Sequence, residues 1–233
     1  MIKFIFLVGR TLIDEQNFFS FIDSRLFYLL NQFGAKIDSM NYFAIKKDVI
    51  KNRRPSINGV EELVVQICRV LMPKGYEKMI LRYILPSIEF AEKHLLYPCE
   101  DSMYTLKTLA NNFRIGLIGS YDRELSKILK IHGMDRYINC CVLSSKKSYE
   151  PDRETFRSIL NMLGINPREA LLVGDRLDKH VHLANSLGIV SIRLSNSRFK
   201  LQAATKPSEV PKLTISKLQE LVKTDYIKTN LDD

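Results

Sequence analysis

Breaker residues are scarce in this sequence, which has 10 glycines and 8 prolines among 233 residues. It also lacks low-complexity tracts and internal repeats. Because 45% of the residues are hydrophobic, the chain is expected to bury a sizeable core, as one large domain or two unequal ones. The first apolar run, residues 2–8, is too short for a membrane span or a secretory signal. We therefore predict a cytoplasmic protein that does not associate with membranes.

The four cysteines include no C-x-x-C pair, and two of them are adjacent in sequence. They are Cys68, Cys99, Cys140 and Cys141. Cys140 and Cys141 fall in a predicted strand, where successive side chains point to opposite faces of the sheet. This arrangement favours reduced structural thiols over a disulfide or a zinc site.

Basic residues outnumber acidic ones by 35 to 26, which gives a formal net charge of +9. A positive net charge favours polyanionic partners, so nucleic acid is one candidate partner. The best local support for this comes from two groups of basic residues, the first at Lys46, Lys47, Lys51, Arg53 and Arg54 and the second at Arg193, Arg198 and Lys200. Such stretches are also typical of a solvated lysine-rich surface, and salt-dependent binding would separate the two interpretations.

The first stretch of the chain, I-K-F-I-F-L-V-G-R-T-L-I-D, predicts a buried strand followed by a turn. Mostly β-branched and aromatic residues fill positions 2–8, and Gly9 ends the run. A continuous apolar run bounded by glycine is typical of a strand buried on both faces of a parallel sheet. Because ligands bind at the carboxyl ends of such strands, we expect residues 7–10 to face the functional crevice. None of these residues is a nucleophile, an acid or a general base.

Two kinds of pattern divide the rest of the chain. Residues 15–96 are predominantly helical in pattern, with apolar residues at three- and four-residue steps. From residue 97 onward, short buried strands alternate with helices, which predicts βαβ units and a parallel sheet. We therefore predict an α/β fold: a Rossmann-like three-layer core with a parallel sheet, formed by residues 1–14 and 97–233, plus an inserted all-helical cap formed by residues 15–96.

Short motifs make the chain similar to the haloacid dehalogenase-like hydrolase superfamily, in the branch with a helical cap inserted after the first strand. They include L-Y-P at residues 96–98, S-Y-D-R-E at residues 120–124 and L-V-G-D at residues 172–175. The resemblance covers nearly the whole chain. It implies a hydrolase fold whose chemistry depends on four short motifs and on magnesium.

The first family motif, D-x-D-G-T, is degenerate in this chain. In the family its first aspartate attacks phosphorus and its second transfers protons. Aligning it with F-L-V-G-R-T places Leu7 at the nucleophile and Gly9 at the acid/base position, while Thr11 matches. A leucine side chain cannot form an acyl phosphate or bind a metal ion. Asp14 is the nearest carboxylate in sequence, but it lies beyond the turn.

The second and third motifs, which hold the transferred phosphate in the family, are altered as well. The family's Ser or Thr at the end of the second core strand is replaced by Gly119, with Ser120 one residue later. The family's lysine before P-D is replaced by Glu150, which reverses the charge. Lys146 and Lys147 lie a few residues upstream.

The fourth family motif supplies acidic metal ligands, and only part of it is retained. Asp175 matches, but the later acidic position falls on His180, and Asp178 is the neighbouring carboxylate. Asp175 and Asp178 are therefore the candidate metal ligands. Since Leu7 removes a further carboxylate, a hard cation is expected to bind weakly. We expect no cofactor, or magnesium if the protein is active.

The combined changes favour a protein that keeps the fold without the catalysis. Four positions lack the chemistry that the family uses there: Leu7, Gly9, Gly119 and Glu150. We therefore expect a pseudoenzyme that acts as a binding or regulatory protein for an unidentified protein or a phosphorylated ligand. Two alternatives stay open. One is a family phosphatase or hydrolase with displaced catalytic groups such as Asp14, Asp175 or Asp178, and the other is a basic nucleic-acid or ribonucleoprotein component.

The crevice also retains the features of an anion-binding site. Glycines at three strand ends, Gly9, Gly119 and Gly174, leave backbone N–H groups accessible to a ligand. Arg10 adds a guanidinium beside them, a group suited to phosphate recognition. We assign Arg10, Thr11 and Ser120 as the residues that would contact a phosphorylated ligand. In the alternative interpretation, Arg10 points outward and the glycines only form tight turns.

Overall fold

The structure, a computed structural model, describes residues 1–52, 60–119, 123–142 and 152–228. The chain divides into two compact units, Met1–Asp14 with Pro98–Asp233 and Glu15–Tyr97. The cap predicted from sequence, residues 15–96, differs from the second unit by one residue. The second unit interrupts the first, because the chain leaves the core after residue 14 and returns to it at residue 98.

The core unit is built on a parallel sheet. The strands of the described residues are β1 (Phe4–Val8), β2 (Ile13–Asp14), β3 (Tyr97–Pro98), β4 (Arg114–Ile118), β5 (Cys140–Val142), β6 (Ala170–Gly174), β7 (Val190–Leu194) and β8 (Leu213–Ile215). Six of them form the parallel sheet in the order β5-β4-β1-β6-β7-β8, while β2 and β3 form a separate two-stranded sheet. The Rossmann-like α/β fold predicted from the alternation of strands and helices is confirmed.

The helices alternate with or follow the strands along the chain. Those of the inserted unit are α1 (Gln16–Gln32), α2 (Ser39–Lys51), α3 (Val60–Leu71) and α4 (Tyr76–His94). Those of the core are α5 (Ser102–Leu109), α6 (Arg123–Ile131), α7 (Arg153–Met162), α8 (His182–Leu187) and α9 (Asp225–Lys228). Among the helices that the structure describes, none is long and apolar enough to span a membrane.

Helix α4 continues through Pro86, which lies inside it. Proline lacks the N–H that would bond to the carbonyl four residues earlier, and this usually weakens a helix. Pro86 is exposed, so water can hydrate the carbonyl of Arg82 that it leaves unpaired. The apolar face of α4, which includes Ile80, Ile84 and Ile88, is buried and stabilises the helix on both sides of the proline.

Aromatic packing fixes the position of β1 at the centre of the sheet. The rings of Phe4 and Phe6 stack with centroids 4.6 Å apart, and Phe156 contacts Phe6 edge-on at 4.9 Å. Gly116 is the partner of Phe6 on β4, and an added Cβ there would lie 2.8 Å from the Phe6 ring. The absence of a side chain at residue 116 therefore makes room for the aromatic residues of β1.

The register of β1 determines which residues meet at the carboxyl edge of the sheet. Leu7 is paired with Leu117 on β4 and with Val173 on β6. Gly119 and Asp175 each follow two residues after these partners, on the two sides of β1. The ends of all three strands therefore meet at one edge, as the motif alignment predicts.

Candidate functional site

Apolar groups occupy the edge of the sheet where β1 ends. The side chain of Leu7 is fully buried. Gly9 begins a turn of 3-10 helix, Gly9–Leu12, and a Cβ added at residue 9 would lie 2.7 Å from a methyl group of Leu125 on α6. This end of β1 therefore provides neither a carboxylate nor a titratable side chain.

Thr11 and Arg10, two of the residues assigned to ligand contact, lie in the same turn. The buried hydroxyl of Thr11 donates a 2.6 Å hydrogen bond to the carbonyl of Val8, which holds the turn against the strand. Arg10 is half-buried, and its carbonyl accepts the N–H of Ile13. Asp14, at the end of β2, is exposed. These contacts give Thr11 a structural role in the turn.

The end of β4 has a backbone conformation that disfavours the family's hydroxyl residue. Gly119 is buried and has a φ of 110°, in the left-handed region that side-chain-bearing residues rarely adopt. A serine or threonine at residue 119 would be strained in this conformation. Ser120, Glu150, Lys146 and Lys147 lie outside the described residues.

The polar part of the edge begins at Asp175, directly after β6. The Nδ1 atom of His180 lies 3.1 Å from the Oδ1 atom of Asp175. The Asp175 side chain retains 18% of its surface exposed and the His180 side chain only 5%. Asp175 is thus a carboxylate that is partly accessible and is held by a buried imidazole.

The Nδ1 atom of His180 has two sets of partners, and its proton decides between them. Without a proton, Nδ1 accepts the backbone N–H groups of Asp175 and Arg176, at 3.2 and 3.1 Å. With a proton, Nδ1 donates to the carboxylate of Asp175. One ring can therefore hold this segment in either protonation state.

The pKa of Asp175 is set by opposing effects. Burial acts to raise it, because burial disfavours the charged form. The hydrogen bond and charge of His180 act against burial and lower the pKa. The Ser197 hydroxyl and the charge of Arg198 act in the same direction, and the pKa falls to about 2. Asp175 is therefore ionised throughout the physiological range.

A turn of π-helix, Leu177–Val181, returns the chain to the end of β6 and places His180 there. Asp178 lies in the same turn, where the guanidinium of Arg176 donates to both of its oxygens at 2.8 and 3.2 Å. The amide of Gln202 donates a third hydrogen bond to Asp178, at 3.1 Å. The carboxylate of Asp178 is therefore engaged in holding the turn to the segment that follows β7.

Arg193 approaches the same edge from β7, where its partner in the sheet is Gly174. The Nη2 atom of Arg193 donates to the carbonyls of Phe199 and Lys200, at 3.0 and 3.2 Å. Its Nε–H is buried and makes no hydrogen bond to the residues that the structure describes. Two of the residues that the sequence groups as a basic stretch, Arg193 and Arg198, thus belong to the surroundings of Asp175.

The described residues do not fit a magnesium site. Magnesium requires several hard oxygen ligands in octahedral geometry. Among the residues that the structure describes, no group of three or more His, Cys, Asp and Glu side chains could hold a metal ion. Leu7 provides no donor, and Asp178 already accepts three hydrogen bonds from Arg176 and Gln202. Asp175 alone is a poor ligand set for this cation.

The sequence reveals Asp175 but not its neighbours. His180 could have been suspected from its place five residues after Asp175, since the family has an acid there. The contacts of Arg193, Ser197 and Arg198 carry no local signal, because they depend on β7 lying beside β6. Their basic and polar character favours a solvated surface when the sequence is considered alone.

The chain belongs to the haloacid dehalogenase-like hydrolase family, since the model of that family matches residues 29–194. This match confirms the resemblance inferred from the short motifs. It begins after β1 and therefore does not include Leu7 or Gly9.

Individual relatives extend the comparison. A glyceraldehyde 3-phosphate phosphatase of Methanocaldococcus jannaschii is 26% identical over 200 residues, which cover 84% of this chain and 83% of that protein. A protein of the same name from Methanopyrus kandleri is 29% identical over 131 residues, or 54% of this chain, and the match spans 56% of that protein's length. The solved structure of a predicted phosphoglycolate phosphatase from Haemophilus somnus shares the fold, with a TM-score of 0.67, 15% identity and coverage of 95% of this chain and 97% of that one.

These relatives correct the prediction of a pseudoenzyme, which is wrong. They are named as phosphatases, and they favour the alternative of a family hydrolase with displaced catalytic groups. That prediction depended on the absence of a nucleophile at Leu7. Phosphoryl transfer depends largely on positioning and on charge stabilisation, so the lack of one nucleophile does not by itself exclude it.

Proposed function

We propose that this protein is a phosphatase that hydrolyses small phosphomonoesters at the edge formed by Asp175, His180 and their neighbours. The observation that supports this most is the ionised, partly exposed carboxylate of Asp175, directly after the strand next to β1. The phosphatase names of the relatives support the same reaction class. Glyceraldehyde 3-phosphate, which appears in the names of two relatives, is the first substrate to test.

In this proposal, a water molecule attacks phosphorus directly. Leu7 provides no nucleophile, and Asp175 with a pKa near 2 is too weak a base to remove a proton from water efficiently. Asp175 instead accepts a hydrogen bond from the water and orients it. The water oxygen bonds to phosphorus, the ester P–O bond breaks, and a proton from the water reaches the departing alcohol oxygen. Little base strength is needed, because phosphoryl transfer passes through a loose transition state.

His180 is a positioning residue in this scheme. It holds the carboxylate of Asp175 through Nδ1 and is itself nearly inaccessible to solvent. Replacement of His180 by asparagine is therefore expected to lower the rate less than loss of Asp175, and to alter the pH profile on the acidic side. A purely structural role would change the melting temperature and leave the shape of the pH profile unchanged.

The test is hydrolysis of p-nitrophenyl phosphate and glyceraldehyde 3-phosphate by the purified chain, compared with Asp175→Ala. We expect the substitution to lower kcat by about 100-fold or more. Asp135→Asn, which changes an exposed carboxylate in the same unit, is the matched control and should retain the wild-type rate. Equal rates for the wild type and Asp175→Ala, or no hydrolysis by the wild type, would contradict the proposal.

A further inference from the structure

A phosphate group brings negative charge to an edge that already holds the carboxylate of Asp175. In the family a divalent cation balances this charge, but the described residues do not fit one. The charge that balances the phosphate must then come from side chains, since like charges repel strongly in a partly buried site. Two arginines, Arg193 and Arg198, lie near Asp175.

Arg193 is the first of them. Its position opposite Gly174 in the sheet brings its side chain to the end of β6, one residue before Asp175. The Nη2 atom is committed to two backbone carbonyls, which fixes the orientation of the guanidinium. The buried Nε–H has no acceptor among the described residues, although buried donors in folded proteins are nearly always paired. A phosphate oxygen is an acceptor of suitable charge for it.

Arg198 is the second arginine. Its guanidinium lies 4.8 Å from the centre of the Phe199 ring, which is itself buried. Its charge acts on Asp175, and the hydroxyl of the preceding Ser197 bonds to the same carboxylate. The segment after β7 thus directs a hydroxyl and a positive charge towards the carboxylate that we propose as catalytic.

The balance of charge at this edge favours an anion over a cation. Among the described residues that act on Asp175, Arg193 and Arg198 contribute two positive charges, while Asp175 itself contributes one negative charge. The opposite charges of Arg176 and Asp178 are paired with each other at 2.8 Å. A dianionic phosphate is attracted to such an edge, whereas a divalent cation is repelled.

We infer that the guanidinium groups of Arg193 and Arg198 take the place of the divalent cation, so that this protein binds and hydrolyses phosphate esters without a metal ion. This inference rests on the proposed phosphatase function. It predicts that removal of metal ions leaves both phosphate binding and turnover intact.

The experiment uses the full chain after dialysis against EDTA. Inorganic phosphate should raise its melting temperature, because a ligand that binds only the folded state stabilises it by mass action. Added magnesium should neither enlarge this shift nor increase the rate of p-nitrophenyl phosphate hydrolysis by more than twofold, roughly the change that corresponds to 0.4 kcal/mol. Titration calorimetry with magnesium alone should give no binding heat at millimolar concentration.

Variants identify the groups involved. Arg198→Gln and Arg193→Gln should abolish the phosphate-induced shift and lower the rate by about 10-fold or more. Arg193→Lys retains the positive charge but lacks the same carbonyl contacts. If Arg193→Lys keeps the phosphate-induced shift, its loss in Arg193→Gln reflects the missing charge and not a folding defect. Lys212→Gln removes an exposed positive charge from the same unit and should behave as the wild type.

The outcomes separate the inference from the proposed function. Hydrolysis that EDTA abolishes and magnesium restores would overturn the inference and leave the phosphatase function standing. If no hydrolysis is found with or without magnesium, the proposed function fails, and the melting experiment still decides the role of the arginines. If phosphate raises the melting temperature in EDTA and this rise depends on Arg193 and Arg198, the two residues are supported as the anion site. If phosphate causes no rise, the anion site is overturned.

Discussion

Gly174 and His180 approach each other so closely that residue 174 has no room for a side chain. An added Cβ would lie 2.5 Å from the Cβ of His180 and 2.7 Å from its Cγ. These atoms lie at the base of the imidazole and cannot move away without displacing the π-helical turn. The same approach brings Nδ1 of His180 to the backbone of residues 175 and 176.

Gly174→Ala is therefore expected to destabilise the protein by about 1–3 kcal/mol, the usual cost of forcing extra volume into a packed site. Urea unfolding followed by far-UV circular dichroism measures this loss. Gly9→Ala is the matched comparison, because its Cβ would meet a terminal methyl group of Leu125, which moves more easily. Equal unfolding midpoints for Gly174→Ala and the wild type would contradict the close approach.

The low pKa of Asp175 predicts a pH-dependent contribution to stability. The carboxyl ionises at about pH 2 in the folded protein and near its ordinary value in the unfolded chain. Its contribution, about 2 kcal/mol, is therefore present above pH 4 and is lost as the pH falls towards 2. Asp175→Asn should be less stable than the wild type by this amount at pH 7, and the difference should shrink in acid. A difference that is constant between pH 7 and pH 3 would show that the pKa is not lowered.

Asp23 joins two side chains in the inserted helical unit, and its loss should be costly. Its Oδ1 atom accepts a 2.8 Å hydrogen bond from the buried hydroxyl of Tyr42, and its Oδ2 atom pairs with Lys46. Asp23→Ala leaves Lys46 largely buried without its partner, which costs about 3 kcal/mol, whereas Tyr42→Phe costs about 1 kcal/mol. Urea unfolding of both single variants and of the double variant measures the coupling. If Asp23→Ala lowers the free energy of unfolding by less than Tyr42→Phe does, the contacts of Asp23 do not stabilise the protein as argued.

The thiols should differ strongly in reactivity. Burial, together with the charge of Glu77, raises the pKa of Cys68 to about 12, so its reactive thiolate is scarce at pH 8. Cys141 is exposed and should react with iodoacetamide first, as peptide mass spectrometry can measure. Because the unfolded chain ionises Cys68 above about pH 8.5, stability should also fall as the pH rises from there towards 12. In concentrated guanidinium, Cys68 and Cys141 should react at similar rates. Rapid labelling of Cys68 in the folded protein would contradict its burial.

The sheet could be predicted from sequence because its signals are local. The apolar runs that form β1 and β6 are continuous and end in glycine, and both strands are buried along their whole length. The end of the core was less predictable. Residues 216–223 have a helical pattern, but the structure forms a 3-10 helix over Leu218–Lys223. The choice between the two helix types depends on packing that the pattern does not contain.

The candidate site could be predicted only in part. Asp175 follows from its place after an apolar run, whereas the turn that returns His180 to it requires a π-helix, which few sequence patterns indicate. Asp178 shows what the residue type alone does not reveal. It was assigned as a candidate metal ligand because it is a carboxylate, although Arg176, two residues away, pairs with it. The sequence shows where the charged residues are, but not whether their charges are already paired in the fold.

The central place of β1 also constrains the order of events during synthesis. Residues 4–8 pair with residues 114–118 and 170–174, so the middle of the sheet cannot close until the ribosome has produced the chain through β6. The helices at residues 16–94 emerge in the meantime and contact one another over shorter separations, which favours early folding. Until then β1 is an apolar strand with two unpaired edges, the kind of segment that chaperones bind and that aggregates when synthesis stalls.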